Sequence, residues 1–211
     1  MSTASRPLIH LASASPRRRE LLTQAGIPFE LIRSEVDETP LANEAAKAYV
    51  ERLARDKAHA GWQKAVSEGN TPRWLLSADT TVALGDVILG KPESTEEAVA
   101  MLTRLSGSHH EVFTGIAVAS PDGVRSAVVR SEVRFRELTE AVIRAYVSTG
   151  EPMDKAGSYG LQGQGGVLVS GIVGSPSNIV GLPIAETVDL LIEAGYPYWG
   201  VIYLMAEGPT S

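Results

Sequence analysis

Residues 11–22 read LASASPRRRELL and hold the clearest local signal in the chain. Ser15 followed by Pro16 is typical of a helix start, because Ser is a favoured N-cap and Pro at the first helical position has no N–H to leave unpaired. Leu21, Leu22 and the later Gly26, placed as a C-cap glycine, predict a short helix with one apolar face.

Three consecutive cations, Arg17, Arg18 and Arg19, stand in the first turn of this predicted helix. A helix N-terminus already carries partial positive charge, so each cation there is disfavoured by roughly 0.3–1 kcal/mol. Beside free backbone N–H groups and two serines, the three arginines favour an anion bound from outside. A solvated basic turn, softened by Glu20, is the alternative that this stretch alone leaves open.

The composition limits the class of protein. The chain has 211 residues, 44% hydrophobic content, a net charge of −6 and no cysteine. It is long enough to bury a full core, and we expect one domain over residues 1–211. No apolar run reaches the roughly 20 residues of a membrane span, and the N-terminus lacks the apolar region of a signal peptide, so we expect no membrane binding; the absence of cysteine is compatible with a cytosolic, that is cytoplasmic, enzyme.

Charge and cysteine content exclude further classes of site. Without cysteine there are no disulfides, thiolate metal sites or cysteine nucleophiles. The acidic balance argues against a nucleic-acid-binding protein, which usually carries an excess of basic residues. A small polyanion can still bind where cations converge, and a divalent metal can offset nearby acidic groups.

Short apolar runs alternate with amphipathic segments, which is typical of an α/β fold. The patterns predict strands at residues 8–12, 29–32, 74–77, 112–119 and 127–135, and one more after residue 166. They predict helices at residues 43–66, 94–105, 139–149 and 183–194, the first of these capped by Asn43, and a loop at residues 174–178. We expect a mixed twisted sheet flanked by helices.

Two carboxylates are candidates for chemistry. Asp79 follows the predicted buried strand at residues 74–77, and site groups in open α/β sheets gather at the carboxyl ends of strands. A carboxylate there can activate a water or hold a metal, although an Asp that accepts backbone N–H bonds in a turn is equally common. Glu38 closes an acidic cluster that otherwise indicates a solvated turn.

Two lysines stand out by position. Lys57 interrupts the apolar stripe of the helix at residues 43–66, and an ammonium that reaches the rim of the fold explains it more simply than a site role does. Lys91 follows the apolar run at residues 87–89, with Pro92 fixing the backbone beside it.

A glycine-rich segment and one histidine complete the candidates. Residues 157–166 contain five glycines, which let a backbone approach a ligand closely, and Gln162 among them has an amide suited to reading a base edge. The segment matches neither the Walker spacing nor a dinucleotide-binding loop. His110 lies in a polar stretch without the spacing of a known catalytic set, which favours a structural role.

Eight blocks of sequence, in order from about residue 8 to residue 191, together resemble the Maf-type nucleoside triphosphate pyrophosphatases. They lie at residues 13–22 (SASPRRRELL), 36–38 (VDE), 53–58 (LARDKA), 78–82 (ADTTV), 89–92 (LGKP), 105–115 (LSGSHHEVFTG), 154–157 (DKAG) and 178–183 (NIVGLP). The resemblance implies a mixed α/β fold with two lobes and a central cleft. It also implies hydrolysis of a nucleoside triphosphate to the monophosphate and pyrophosphate, with Mg²⁺ or Mn²⁺ as the divalent metal.

The resemblance carries roles onto residues of this chain. It implies Asp79 as the proton acceptor and Glu38 as an essential carboxylate near the metal, with both as candidate metal ligands, and Lys91 as a further catalytic residue. Arg17, Thr80 and Gln162 match positions linked to substrate choice. The candidate substrate-binding residues are Ser13, Arg17, Arg18, Lys57, Thr80, Lys155 and Gln162.

Residues 155–163 (KAGSYGLQG) are similar to the subgroup that acts on dTTP and UTP, which has a glutamine at this place. Modified pyrimidine nucleotides are a further candidate class. A 7-methyl-GTP pyrophosphatase and a nucleotide-binding regulator of septum formation are the alternatives. The resemblance also implies a homodimer.

Overall fold

The computed structural model describes residues 6–198 of the chain. Over that part the strands are β1 (Ile9–Ala12), β2 (Phe29–Leu31), β3 (Leu75–Leu84), β4 (Val87–Leu89), β5 (His109–Ser120), β6 (Gly123–Phe135) and β7 (Val169–Val173). The helices are α1 (Pro16–Gln24), α2 (Ala46–Ser67), α3 (Thr95–Leu105), α4 (Glu140–Val147), α5 (Pro176–Val180) and α6 (Ile184–Glu193). Short 3₁₀ turns lie at Glu151–Asp154, Ala156–Ser158 and Gln164–Leu168.

All seven strands join one mixed sheet in the order β2-β1-β3-β5-β6-β7, with β4 paired to β3. β1 runs parallel to β2 and β3, and the remaining pairs are antiparallel. The mixed α/β fold predicted from the sequence is therefore confirmed.

One edge of β3 has an unpaired segment in its middle. β1 pairs with residues 75–77 of β3, and β4 pairs with residues 82–84. β5 pairs with β3 over residues 75–83, so β1 and β4 must share the opposite edge. Residues 78–81 lie between them, and no strand of the described residues 6–198 pairs with that edge. This gap, which includes Asp79 and Thr80, is where the fold leaves room for a ligand.

Helix α2 covers one face of the sheet at close range. Its Ala54 and Ala58 pack against Leu75 and Ala117, and small side chains on both elements allow the helix to approach. At Gly115 of β5 the approach is closest, because a Cβ there would lie 2.2 Å from the Val50 carbonyl oxygen. The position of α2 relative to β3 is thereby fixed.

The opposite face carries two separate cores, one at each end. One joins α1 and α6 to β1, β3 and β5, and includes Leu22, Leu76 and Leu191. The other joins α3 and α4 to the far ends of the central strands, and includes Leu102 and Ile143. The two cores account for the two lobes, and the cleft lies between them.

The structure corrects three local expectations. β3 continues to Leu84 because β5 pairs with it over residues 75–83 and β4 over residues 82–84, so Asp79 lies inside a strand and not beyond its end. Asn43 does not cap α2, which begins after Ala45; Asn43 instead takes a left-handed turn conformation with φ of 58°. Residues 174–178 are not a plain loop, because α5 starts at Pro176 with Ser175 as its N-cap.

Among residues 6–198 no helix combines the length and the apolar character needed to cross a bilayer.

Candidate active site

A cleft of about 880 Å³ opens at the gap in the edge of β3 and extends between the two lobes. The structure brings every sequence-predicted site residue to its walls. These are Ser13, Arg17, Arg18, Glu38, Lys57, Asp79, Thr80, Lys91, Lys155 and Gln162.

The charge of the cleft is opposite to that of the whole chain. Seven cationic side chains and four carboxylates line it, although the net charge of the protein is −6. Arg19, Arg33, Glu35 and Asp154 are the charged lining residues that the sequence did not single out for the site. A cleft of locally positive charge attracts a small polyanion even though the protein as a whole is acidic.

Arg18 is held in place by three hydrogen bonds. Its Nη1 donates to Ser13 Oγ at 3.1 Å, its Nη2 to Thr80 Oγ1 at 3.0 Å and its Nε to the Gly181 carbonyl oxygen at 2.8 Å. Burial lowers the pKa of Arg18, with the charge of Asp79 opposing that effect. The guanidinium is thus oriented before any ligand arrives, which suits bidentate recognition of phosphate.

The start of α1 differs from its sequence prediction in one detail. Ser15 is the N-cap residue by position, but its side chain makes no capping hydrogen bond. The hydroxyl of Ser13 is used instead, accepting a bond from the Ser15 N–H at 3.2 Å. A helix N-terminus whose N-cap hydroxyl does not cap it retains donors that can face an anion.

Arg17 and Lys155 share one carboxylate across the cleft. Arg17 Nη1 lies 3.0 Å from Asp154 Oδ2, and Lys155 Nζ lies 2.6 Å from Asp154 Oδ1. Burial raises the pKa of Asp154, but the hydrogen bonds from Lys155 and Arg17 outweigh it and the pKa is lowered overall. Asp154 was visible in the DKAG block, yet its pairing with Arg17 joins residues 137 positions apart and has no local signal.

Lys57 does not reach the rim of the fold, contrary to the simpler explanation of its position. Its side chain is 14% exposed, and its ammonium contacts Asp79 Oδ1 at 2.7 Å and Glu38 Oε1 at 2.6 Å. Burial raises the pKa of Glu38, but the hydrogen bond and charge of Lys57, with the charges of Lys91 and Arg18, hold it below its usual value. Lys57 therefore lies where the inner face of α2 borders the cleft, while Ala58 and Ala65 beyond it stay buried.

Tyr49 is a lining residue that sequence reasoning missed. It lies eight residues before Lys57, on the same face of α2, and its hydroxyl donates to the Glu38 carbonyl oxygen at 2.9 Å. Burial, followed by the charges of Asp79 and Glu38, raises the pKa of Tyr49 to about 12. The eight-residue spacing from Lys57, which places the two side chains on one face of the helix, is the sequence signal that could have identified Tyr49 as a site residue.

The glycines of residues 157–166 approach the protein's own chain. A Cβ on Gly157 would lie 2.9 Å from Val82, and one on Gly160 would lie 2.7 Å from the Lys155 side chain. The sequence predicted that these glycines let the backbone approach a ligand. At these two positions they instead allow the backbone to pack closely against other residues of the protein. Gln162 itself is exposed to the cleft.

Glu38 and Asp79 suit a divalent metal by their chemistry. Mg²⁺ is commonly held by one or two carboxylates together with water and substrate phosphate oxygens. Over residues 6–198 no group of three or more acidic or histidine side chains is placed to hold a metal. The two carboxylates therefore fit a metal whose remaining ligands come from a bound phosphate and water, with Lys57 competing for the same oxygens.

His110 is buried away from the reacting groups of the cleft. Its Nε2 shares a 2.8 Å hydrogen bond with the Tyr159 hydroxyl, and its ring packs edge-on against Phe135 and Tyr159. Burial, followed by the charge of His109, lowers the pKa of His110 to about 4. The ring is therefore neutral at pH 7 and packs as part of the core.

The chain is similar in sequence to a known family and to several known proteins. The family model described as "Maf-like protein" matches residues 8–194. The dTTP/UTP pyrophosphatase of Myxococcus xanthus is 55% identical over 92% of this chain and 96% of its own. The dTTP/UTP pyrophosphatase of Pseudoalteromonas atlantica is 49% identical over 87% of this chain and 95% of its own. Among solved structures, the Staphylococcus aureus Ham1 protein matches distantly, with a TM-score of 0.39 and 16% identity over 64% of this chain and 73% of that chain.

Proposed function

This chain belongs to the family of Maf-like proteins, and from that premise we propose that it is a nucleoside triphosphate pyrophosphatase that acts on dTTP and UTP. The products are the nucleoside monophosphate and pyrophosphate. The observation that carries the proposal is the cleft itself, where cations from α1, α2 and the loops after β4 and α4 face one carboxylate in the gap of β3.

The cations supply the larger part of catalysis in this proposal. Negative charge develops on the leaving pyrophosphate, and donors already aimed at that charge stabilise the transition state. Arg18 is oriented by its three hydrogen bonds, while Arg17 and Lys155 exchange Asp154 for phosphate oxygens when the triphosphate binds. Lys91 adds a further charge close to the segment that carries Lys155, because the Gly157 N–H donates to the Gly90 carbonyl oxygen at 3.1 Å.

Asp79 acts as the general base. One carboxylate oxygen accepts from Lys57, and a carboxylate has further acceptor capacity for a proton from water. As that proton moves to Asp79, the water oxygen forms a bond to the α-phosphorus and the bond from the α-phosphorus to the bridging oxygen breaks. The electron pair leaves with pyrophosphate. A general base of this kind contributes roughly 10²–10⁴-fold.

A divalent metal, Mg²⁺ or Mn²⁺, is part of the proposal. Glu38 and Asp79 would hold it, and when bound it supplies neutralisation of the triphosphate charge and polarisation of its phosphoryl oxygens.

The loop that contains Gln162 recognises the nucleobase of the substrate. An amide has both an acceptor and two donors, which match the alternating carbonyl and N–H groups on the edge of thymine or uracil. The names of the curated relatives support this pyrimidine assignment, and modified pyrimidine nucleotides extend it. By resemblance to the family we also expect a homodimer in the cytoplasm, where nucleoside triphosphates are made.

The experiment is a panel of nucleoside triphosphates, including dTTP, UTP, dGTP and 7-methyl-GTP, with Mg²⁺ or Mn²⁺. Pyrophosphate and orthophosphate are measured separately. Pyrophosphate released from dTTP and UTP in preference to the others supports the proposal. Preference for 7-methyl-GTP would reassign the base, orthophosphate as the product would overturn the cleavage site, and binding without turnover would favour the regulator.

A further inference from the structure

Two residues outside the proposed chemical machinery bind the glycine-rich loop, which we define as residues 160–166. Tyr146 lies near the end of α4, and Glu151 begins the 3₁₀ turn that follows it. The loop contains Gln162, which faces the cleft. These side chains contact the loop on both sides of Gln162.

The contacts of Glu151 and Tyr146 form a continuous set of hydrogen bonds. Glu151 Oε1 accepts from the Gly165 N–H at 2.9 Å and from the Tyr146 hydroxyl at 2.9 Å, and its Oε2 accepts from the Gln164 N–H at 3.0 Å. The Tyr146 hydroxyl in turn accepts from the Gly160 N–H at 3.1 Å. One carboxylate and one hydroxyl thus hold three backbone donors of the loop.

Two glycines of the loop stand where Glu151 and Tyr146 leave no room for a side chain. A Cβ on Gly163 would lie 2.9 Å from Glu151 Oε2, and one on Gly165 would lie 2.5 Å from the Tyr146 hydroxyl. Gly163 also has φ of 101°, which strains any other residue. Close approach to Glu151 and Tyr146 therefore explains glycines at positions where a ligand was first expected to come near.

We propose that Glu151, acting with Tyr146, is a positioning residue for base selection, because it fixes the conformation in which the loop presents Gln162 to the base. The inference rests on the proposed function of the cleft and deepens it. Glu151 does not line the cleft; its carboxylate binds the N–H groups of Gln164 and Gly165 in the loop backbone, and its charge also acts on Lys155. The burial that raises the pKa of Glu151 is outweighed by its hydrogen bonds, first from Gly165 and Gln164, so the pKa is lowered and the acceptor stays ionised at neutral pH.

The test compares Glu151→Gln and Tyr146→Phe with the wild type. A glutamine has one acceptor oxygen, so it cannot accept on both sides of its head group, and its amide hydrogens oppose one of the loop N–H groups. We expect the KM for dTTP to rise about tenfold in Glu151→Gln, with kcat within about threefold, and the preference for dTTP over dGTP to fall about tenfold. Tyr146→Phe should change the same quantities in the same direction.

A ligand that lacks a nucleobase distinguishes a loss of nucleobase positioning from damage to the phosphate-binding residues. Inorganic tripolyphosphate is the probe, used as an inhibitor, and its inhibition constant should change less than about twofold in Glu151→Gln. The matched control is Glu140→Gln, which removes an exposed carboxylate paired with Arg144 on α4 and should change none of these values. Equal losses for dTTP and tripolyphosphate, or an unchanged preference among bases, would overturn the proposal.

Amide hydrogen exchange provides a readout that does not need turnover. In Glu151→Gln the amides of Gln164 and Gly165 should exchange at least about tenfold faster, because both lose a charged acceptor. Unchanged exchange there overturns the anchoring role whatever the enzyme does. A wild-type protein without pyrophosphatase activity would instead refute the proposed function, and the base-selection role with it, while faster exchange in the variant would still establish the anchor.

Discussion

The ammonium nitrogen of Lys57 lies 2.7 Å from Oδ1 of Asp79. The same nitrogen lies 2.6 Å from Oε1 of Glu38, so one lysine from α2 joins the proposed general base to the other carboxylate proposed to hold a metal. A cation between two carboxylates offsets their mutual repulsion, and it also stands where a divalent metal would bind them.

Removing Lys57 should therefore strengthen metal binding. In Lys57→Met we expect Mn²⁺ to bind the nucleotide-free protein at least about tenfold more tightly, because a competing positive charge within contact distance is removed. Isothermal titration calorimetry measures this. Lys64→Met, which removes a half-exposed lysine from the same helix, is the control and should leave the affinity unchanged. Unchanged Mn²⁺ affinity in Lys57→Met would contradict Glu38 and Asp79 as metal ligands.

Replacing Asp79 should abolish most turnover without unfolding the protein. Asp79→Asn keeps an oxygen for the hydrogen bond from Lys57 but cannot accept a proton from water, so kcat for dTTP should fall roughly 10²–10⁴-fold. Asp86→Asn, in the exposed turn between β3 and β4, is the matched control. Near-normal pyrophosphate release by Asp79→Asn, with a thermal melt like that of the wild type, would remove the general-base assignment.

Much of the fold was predictable because its signals are local. The Ser94 and Thr139 caps each accept a hydrogen bond from the N–H three positions later, and the start of α1 depends on Pro16, whose fixed φ suits the first helical position. The length of β3 was not predictable, because residues 78–81 are held as strand by pairing with β5, some thirty residues away. Asp79 interrupts the apolar run there, and the predicted strand covered only residues 74–77.

The same reasoning applies to the site. Motif positions identified the cleft residues, and the structure places them on one set of walls. The sequence did not predict which residues each of these side chains contacts. The periodicity of α2 places Lys57 on the inner face of the helix, but it does not show whether that face meets a core or a cleft. Likewise, five glycines in ten residues indicate that some group lies close to this backbone. They do not identify the side chains of Glu151 and Tyr146 as those groups.

The contact of α2 with the sheet should be intolerant of a single methyl group. In Gly115→Ala the new Cβ would lie 2.2 Å from the Val50 carbonyl oxygen, a backbone atom that cannot rotate away. We expect a loss of about 3 kcal/mol in the free energy of unfolding, the upper end for overpacking, measured by urea denaturation. Gly171→Ala is the control, because nothing lies within 4 Å of its Cβ position and it should change stability little. Equal stability of both variants would contradict the close packing of α2 on β5.

Burial of His110 should make the stability of the protein depend on pH below neutrality. Its pKa is about 4 in the folded protein, against an ordinary value near 6.5 when unfolded, so between these two values the unfolded chain binds a proton that the folded chain does not. The contribution of neutral His110 to stability is therefore complete above pH 6.5 and declines as the pH falls toward 4. The decline should amount to about 3 kcal/mol by pH 4.5.

His110→Gln isolates this effect, because glutamine can bond to Tyr159 but does not titrate in this range. Urea denaturation of both proteins at pH 7 and pH 4.5 should show the stability difference between wild type and variant shrinking or reversing as the pH falls. His59→Gln, at an exposed position on α2 away from His110, should follow the wild type at both pH values. A wild type and His110→Gln that decline in parallel would show that His110 is not held neutral by burial, and would remove it from the core cluster with Phe135 and Tyr159.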